Sequence, residues 1–358
     1  MRVLYLQGDH YQMGLQHGKQ VYDLRPLILT SIGTRLEGLV RTGGLNTSAL
    51  EQVERAWNEN ARSTMGMLKG ISEKLEIPNS QLFQYTVASY LEDLLFAKTH
   101  AEGCTVWAAS RTATQDGTPM LVKNRDYFEG HIPMRAVAYA TPQSGYRYIY
   151  VTSAGSPGVF SSGMNEHGLA VADTHVPSRD IGPGLARFTL MMDLLEQQSN
   201  VPDAIAHLKS VTCMGAGNLI LADAQGNMAV FENGFRRGGV VTPVEDIVVA
   251  TNHFAGAELR DHNVLKTNVR ATYDETRDRY ATAQSLLQQT RGTLDVKQAK
   301  RIASYHGATA LCRHRPQNDS DTISAAIYLP ARRQLLFCNG WPCQGSYETY
   351  TLAFPRTG

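Results

Sequence analysis

The hydrophobic and polar positions fall into two textures. Residues 20 to 100 read as helical, with few glycines, many Leu, Glu, Gln and Ala, and stretches such as Ala49-Leu50-Glu51-Gln52-Val53-Glu54-Arg55-Ala56. Ser72-Glu73-Lys74-Leu75 closes one predicted helix, because Pro78 after Ile77 cannot continue it. Ser80-Gln81-Leu82-Phe83 opens another, running through Tyr85, Tyr90 and Leu94 to about Phe96. From Cys104 the pattern switches to strands. Cys104 to Arg111 alternates, Asp116-Gly117 is a hairpin turn, and Met120 to Tyr127 returns.

Val137 to Val151 predicts a second hairpin around Gln143-Ser144-Gly145. A third places Gly163-Met164-Asn165-Glu166-His167-Gly168 between Gly158-Val159-Phe160 and Leu169-Ala170-Val171. Helices are predicted over Arg187 to Gln198, Pro202 to Ser210, Arg277 to Gln289 and Asp295 to Tyr305. Between and after them, strands are predicted at Asn218 to Ala222, Met228 to Glu232, Ile247 to Ala250, Ile323 to Leu329 and Gln334 to Phe337. Mostly antiparallel strands interrupted by helix pairs imply an α+β fold with helices outside the sheets. No regular β-α-β alternation and no Gly-x-Gly-x-x-Gly fingerprint supports a doubly wound nucleotide-binding fold.

Composition narrows the function classes. The 358 residues are 42% hydrophobic and only 19% charged, which fits a large core. Length alone suggests about two domains. Lys plus Arg is 34 against 33 for Asp plus Glu, so no basic excess remains for nucleic acid. No membrane-length apolar run exists, and Met1 to Gly18 lacks the apolar stretch of a signal peptide, so no membrane partner and a cytoplasmic location are expected. Five cysteines do not make a disulfide framework. The eleven histidines show no His-Glu-x-x-His or His-x-His, and Cys338 and Cys343 lack a second pair at metal spacing. Neither metal nor cofactor is expected. The serine elbow Gly-x-Ser-x-Gly is also missing, and Ser156 before Pro157 reads as a turn residue.

Glu102-Gly103-Cys104-Thr105 is the candidate that remains. A cysteine opening an apolar strand is ordinarily a small core residue. This one sits where the helical leader becomes a strand, directly after a glycine that leaves its carbonyl unshielded and accepts unusual backbone angles. Attack of the thiol on that carbonyl would cut the chain and leave Cys104 with both a nucleophilic sulfur and a free α-amine. An α-amine titrates near about 7.7 to 8.0, where a general base works well.

Here the chain resembles the acyl-coenzyme A:isopenicillin N acyltransferase-like group of N-terminal-nucleophile (Ntn) hydrolases, relatives of the choloylglycine hydrolases. The resemblance rests on Gly8-Asp9-His10-Tyr11-Gln12-Met13-Gly14-Leu15-Gln16-His17-Gly18, Gly103-Cys104-Thr105, Asn124-Arg125-Asp126-Tyr127, Gly163 to Ala170, Thr251-Asn252-His253-Phe254 and Leu311-Cys312-Arg313-His314, in that order. It implies a four-layer α-β-β-α sandwich of two antiparallel sheets. It also implies autocleavage between Gly103 and Cys104, with residues 1–103 remaining as a helical small subunit on the 104–358 core, one folded unit.

The implied reaction is attack by Cys104 on a linear N-acyl amide, through a thioester that water or a second amine resolves. The acyl group, the amine and the oligomeric state, a homo-oligomer included, stay open. Asp126 would hold or orient the α-amine. Asn252 and Asn165 would donate to the oxyanion, and a turn asparagine is the other reading of Asn165. Arg313 would lower the thiol pKa or stabilise developing charge, or else belongs to the basic surface cluster Arg313-His314-Arg315. Choloylglycine relatives carry arginine three residues before the aspartate. Lys123 stands there instead, which favours the acyltransferase-like branch over bile-salt substrates. Gly14 and Gly18, four apart, would let a short helix approach a neighbour, with His10 and His17 architectural. An acyl-thioester-dependent N-acyltransferase and an uncleaved, non-catalytic binding protein on the same fold are the alternatives.

Overall fold

The computed structural model describes residues 1–95, 103–264, 270–315 and 320–353. Strand β1 (Arg2–Gly8) precedes six helices: α1 (His10–Gln20), α2 (Arg25–Arg41), α3 (Thr47–Asn60), α4 (Arg62–Leu75), α5 (Asn79–Thr86) and α6 (Ala88–Leu94). The strands β2 (Gly103–Ala109), β3 (Met120–Tyr127), β4 (Arg135–Pro142), β5 (Tyr148–Ser153), β6 (Ser162–Asn165) and β7 (Ala170–His175) follow. Helices α7 (Arg187–Gln197) and α8 (Val201–Ser210) lead to β8 (Gly217–Ala222), β9 (Met228–Asn233), β10 (Gly238–Val241) and β11 (Ile247–Ala250). Then come α9 (Arg270–Gln289), α10 (Val296–Ala303), β12 (Asp321–Leu329), β13 (Gln334–Asn339) and β14 (Tyr347–Thr351).

One sheet runs β1-β4-β5-β6-β7-β8-β9-β10 and the other β11-β2-β3-β12-β13-β14. Strand side chains alternate between faces, so Val106 and Leu121 pack between the sheets with Val151, Met164 and Ile220. Their neighbours Trp107 and Val122 point the other way, onto Ala283 and Leu287 of α9. Beyond the larger sheet, Tyr150 and Leu219 meet Trp57, Leu68 and Leu195 from the remaining helices. The layers are therefore α-β-β-α, as the resemblance implies. The central strands are covered on both faces, so every residue of β2 is buried where alternation was expected, while the edge strands β10 and β14 are partly exposed.

Three details depart from the sequence reading. The larger sheet is not wholly antiparallel, because β1 pairs parallel with β4, Arg2 opposite Ala136. The N-terminal segment thus adds a strand to the core sheet and is not purely helical. In β1 only Leu4 and Leu6 are buried, a short alternation that the flanking glycine pattern obscures. The third hairpin also shifts: Ser162–Asn165 is itself strand β6, and Gly168 takes the left-handed turn at φ 81°. The helix expected to reach Phe96 is divided into α5 and α6, and Phe96 lies outside the described residues.

Close packing of α1 on α4 explains the glycine spacing. A Cβ on Gly14 would stand 2.2 Å from the Met67 carbonyl oxygen, and one on Gly18 2.7 Å from Lys74 Cβ. His17, fully buried on α1, accepts a hydrogen bond at Nε2 from the Gly155 N–H over 3.0 Å. Burial pushes its pKa down to about 4 and keeps it neutral. His10 pairs with Glu196 on α7 at 2.9 Å. No helix among the described residues is long and apolar enough to cross a membrane.

Candidate active site

The pairing of β2 with β3 sets Gly103 opposite Asp126 and Cys104 opposite Arg125. A Cβ on Gly103 would lie 2.7 Å from Arg313 Nη1 and 2.8 Å from Asp126 Oδ2. The residue is small there because two charged side chains press on it.

Around Cys104 the polar frame is closed. Its N–H donates to Asn252 Oδ1 at 3.0 Å, and its carbonyl accepts from Arg279 Nη1 at 2.8 Å. Arg279 Nη2 donates to the same Asn252 oxygen at 2.8 Å, while Asn252 Nδ2 donates to the His175 carbonyl at 2.8 Å. Two pure donors on one side and a pure acceptor on the other fix which way the amide points. Strand β11 brings Asn252 there through its pairing with β2, Ala250 opposite Val106.

Asp126 and Arg313 lie on the other side of the junction. Asp126 Oδ1 accepts from Thr322 Oγ1 at 2.7 Å. Its Oδ2 has no hydrogen-bond partner among the described residues and lies 3.5 Å from Arg313 Nη1. Arg313 is buried, not a surface cation, and also reaches Glu275 at 3.2 Å and Ser320 Oγ at 3.0 Å. Glu275 in turn pairs with Arg279 one helical turn along α9, at 2.8 Å.

Cys104 opens onto a cavity of about 130 Å³. The core supplies Lys123, Asp126, Asp173 and His175 to its wall, and the N-terminal segment supplies Tyr85, Tyr90 and Asp93. Lys123 takes no arginine-like clamp. Its ammonium donates to the carbonyls of Ser161 at 3.0 Å and Asp173 at 2.7 Å, and pairs with the Asp173 carboxylate. Burial pushes Asp173 up, but Lys123 and Arg187 outweigh it and hold the carboxyl below its ordinary value. Burial also pushes the Cys104 thiol up, with Lys123 pulling against it. The thiol of the intact chain is thus protonated at neutral pH.

Asn165 stands apart. Both of its amide donors are used, on the carbonyls of Leu195 at 3.0 Å and Gln198 at 2.7 Å. Its oxygen accepts from the N–H groups of His167 and Leu169. It does not line the Cys104 cavity, and its geometry is that of the turn asparagine, holding β6 to the end of α7. His253, next to Asn252, does not line the Cys104 cavity; it lies 3.1 Å from Thr251 Oγ1 and packs edge-on against the Tyr280 ring. Sequence reasoning missed Arg279, Glu275, Asp173, Arg187 and His175. They reach the site from three elements, Arg279 and Glu275 from α9, Asp173 and His175 from β7 and Arg187 from α7, and only the fold brings them together.

The sequence model of the acyl-coenzyme A:6-aminopenicillanic acid acyl-transferase family matches residues 112–344. The chain belongs to this family. The matched stretch contains Asp126, Asn165, Asn252 and Arg313, and Cys104 stands just before it. Comparison with curated proteins gives no match. Among solved structures, a variant of the conjugated bile acid hydrolase from Clostridium perfringens is similar at 13% identity and TM-score 0.46, over 71% of this chain and 99% of that one. Penicillin V acylase from Agrobacterium tumefaciens is similar at 16% identity and TM-score 0.45, over 66% and 83%.

Proposed function

We propose that this acyltransferase-family chain is a self-processing cysteine enzyme that attacks linear N-acyl amides. The observation carrying the reading is the Cys104 nitrogen, 3.0 Å from Asn252 Oδ1, in a junction whose preceding residue is pressed against Asp126 and Arg313. In the first step the Cys104 sulfur attacks the Gly103 carbonyl carbon. The C–N bond breaks as the C–S bond forms, and the thiol proton passes to the nitrogen. Water then hydrolyses the thioester, leaving a carboxylate on Gly103 and an α-amine and thiol on Cys104.

The new α-amine is born with an acceptor in place. Asn252 Oδ1 already faces that nitrogen, and Asp126 Oδ2, without a hydrogen bond among the described residues, stands against the preceding Gly103, where the freed amine could reach it. In turnover the amine takes the thiol proton, sulfur attacks the substrate carbonyl, and the leaving amine departs with the proton from the α-ammonium. Asn252 spends one of its two amide N–H bonds on His175; the other serves the oxyanion in this reading, with Arg313 holding charge on Asp126. Substrates are N-acylated amino acids, β-alanyl amines or β-lactam side-chain amides. The N-terminal segment stays bound after the cut, because β1 is built into the larger sheet and Trp57 into its helical cover.

The family match favours a second amine over water as the acyl acceptor. Release of the acyl group with and without added amine separates transfer from hydrolysis. Mass spectrometry of the purified chain tests the reading as a whole: cutting residues 1–103 from a 39.4 kDa chain of 358 gives pieces of roughly 11 and 28 kDa. An intact 39.4 kDa chain would support a binding protein instead.

A further inference from the structure

Among the described residues outside the Cys104 site, one group of side chains gathers soft donors. His306, Cys312, His314 and Cys343 each offer a ligand atom, and these atoms all lie within 4.8 Å of one another. Three of them belong to the loop between α10 and β12, and Cys343 to the turn between β13 and β14. No zinc spacing is visible in the sequence, because that turn reaches the loop only through the sheet. The two segments are also tied by Ser304 Oγ, which donates to the Pro342 carbonyl at 3.0 Å.

We propose that His306, Cys312, His314 and Cys343 bind one divalent cation of the zinc class in a Cys2His2 site. The spacing supports it. Tetrahedral zinc, with bonds of about 2.3 Å to sulfur and about 2.0–2.1 Å to nitrogen, sets those atoms about 3.6 Å apart. His314 Nε2 lies 3.5 Å from Cys312 Sγ and 3.3 Å from Cys343 Sγ. The His306 ring stacks on His314 at 5.0 Å, and the Trp341 ring packs edge-on to His314 at 4.4 Å. Cys312 is buried and His306 exposed, which gives the ion one dry wall and one route in. Two thiolates, formed as two protons leave to solvent, neutralise the cation, and thiolate with imidazole selects zinc over magnesium or calcium.

Such an ion would clamp the backbone on both sides of Arg313, whose guanidinium reaches Asp126 at 3.5 Å and Glu275 at 3.2 Å. The metal would act as a positioning device for that arginine, a consequence that rests on the proposed function. Binding itself does not.

The experiment uses full-length protein freed of metal by chelator under reducing conditions, then titrated with Zn²⁺ against a chromophoric competitor and, separately, with Co²⁺. The expected result is one Zn²⁺ per chain, and thiolate-to-cobalt charge-transfer absorption with tetrahedral d–d bands. His306→Gln, at an exposed position that leaves the fold intact, and Cys343→Ser should each weaken binding by at least about tenfold. Cys104→Ala should bind like the wild type, so metal binding is read independently of processing. Less than one equivalent, absence of the thiolate band, unchanged binding in both site variants, or a Cys312–Cys343 disulfide in freshly purified chain would each overturn the proposal.

Discussion

The backbone N–H of Cys104 donates to the side-chain oxygen of Asn252 over 3.0 Å, across two strands of the smaller sheet. The peptide nitrogen that would become an α-amine is thus already held by a side chain. The same oxygen accepts from Arg279, so Asn252 is locked at the centre of the junction.

Replacing it with alanine strips the acceptor from both Cys104 and Arg279 and, in the proposed mechanism, the donor from the oxyanion. Asn252→Ala should lower kcat by about two to three powers of ten while the fold persists. Steady-state rates with circular dichroism check this. A fully active variant would place oxyanion support elsewhere.

Gly103→Ala tests the close approach at the junction. Its methyl would have to sit 2.7 Å from Arg313 Nη1 and 2.8 Å from Asp126 Oδ2, and both side chains are buried. Overpacking of this kind costs about 1–3 kcal/mol. The variant should unfold at lower denaturant and process more slowly than the wild type in a timed gel assay. Wild-type stability and rate together would show that the junction has room to spare.

Much of this was legible in the chain, and the reasons differ by residue. The change of texture at Cys104 marks the start of β2, and the Asp116-Gly117 turn brings β3 back so that Asp126 meets Gly103. That follows from local pattern. Arg279 was invisible, because one arginine among several on an amphipathic helix carries no sign that it will be buried at 2% exposure against a strand. Asn165 misled in the opposite direction. Its motif is distinctive, but the geometry spends the whole amide on a turn and the end of α7. β14 and β10 leave little trace in the pattern, being short, partly exposed strands at sheet edges, each paired with the strand just before it.

Stability should depend on pH through buried neutral histidines. His17 and His253 are both pushed down to about 4 by burial, against an ordinary value of 6.5. For a base with a lowered folded pKa, the unfolded chain takes up protons that the folded chain refuses. Their contribution is therefore complete above the ordinary value and is lost as pH falls from 6.5 toward 4. His10, raised by Glu196 against its burial, acts in the opposite sense. The urea midpoint should fall between about pH 7 and about pH 5, and fall less in His17→Gln, which keeps an acceptor for the Gly155 N–H. An equal fall in both proteins would contradict the assignment to His17.

The central claim is that Cys104 becomes an N-terminus. A Cys104→Ala chain should remain whole and inactive, and the wild type should cut itself in purified form without added protease. Processing should quicken as pH rises from about 6 toward about 8, because the thiolate fraction, kept small by burial, grows with pH. N-terminal sequencing of the larger piece is the most direct measurement. The account predicts that it begins Cys104-Thr105-Val106-Trp107. A larger piece beginning at any other residue, or activity in chains that stay intact, would contradict it.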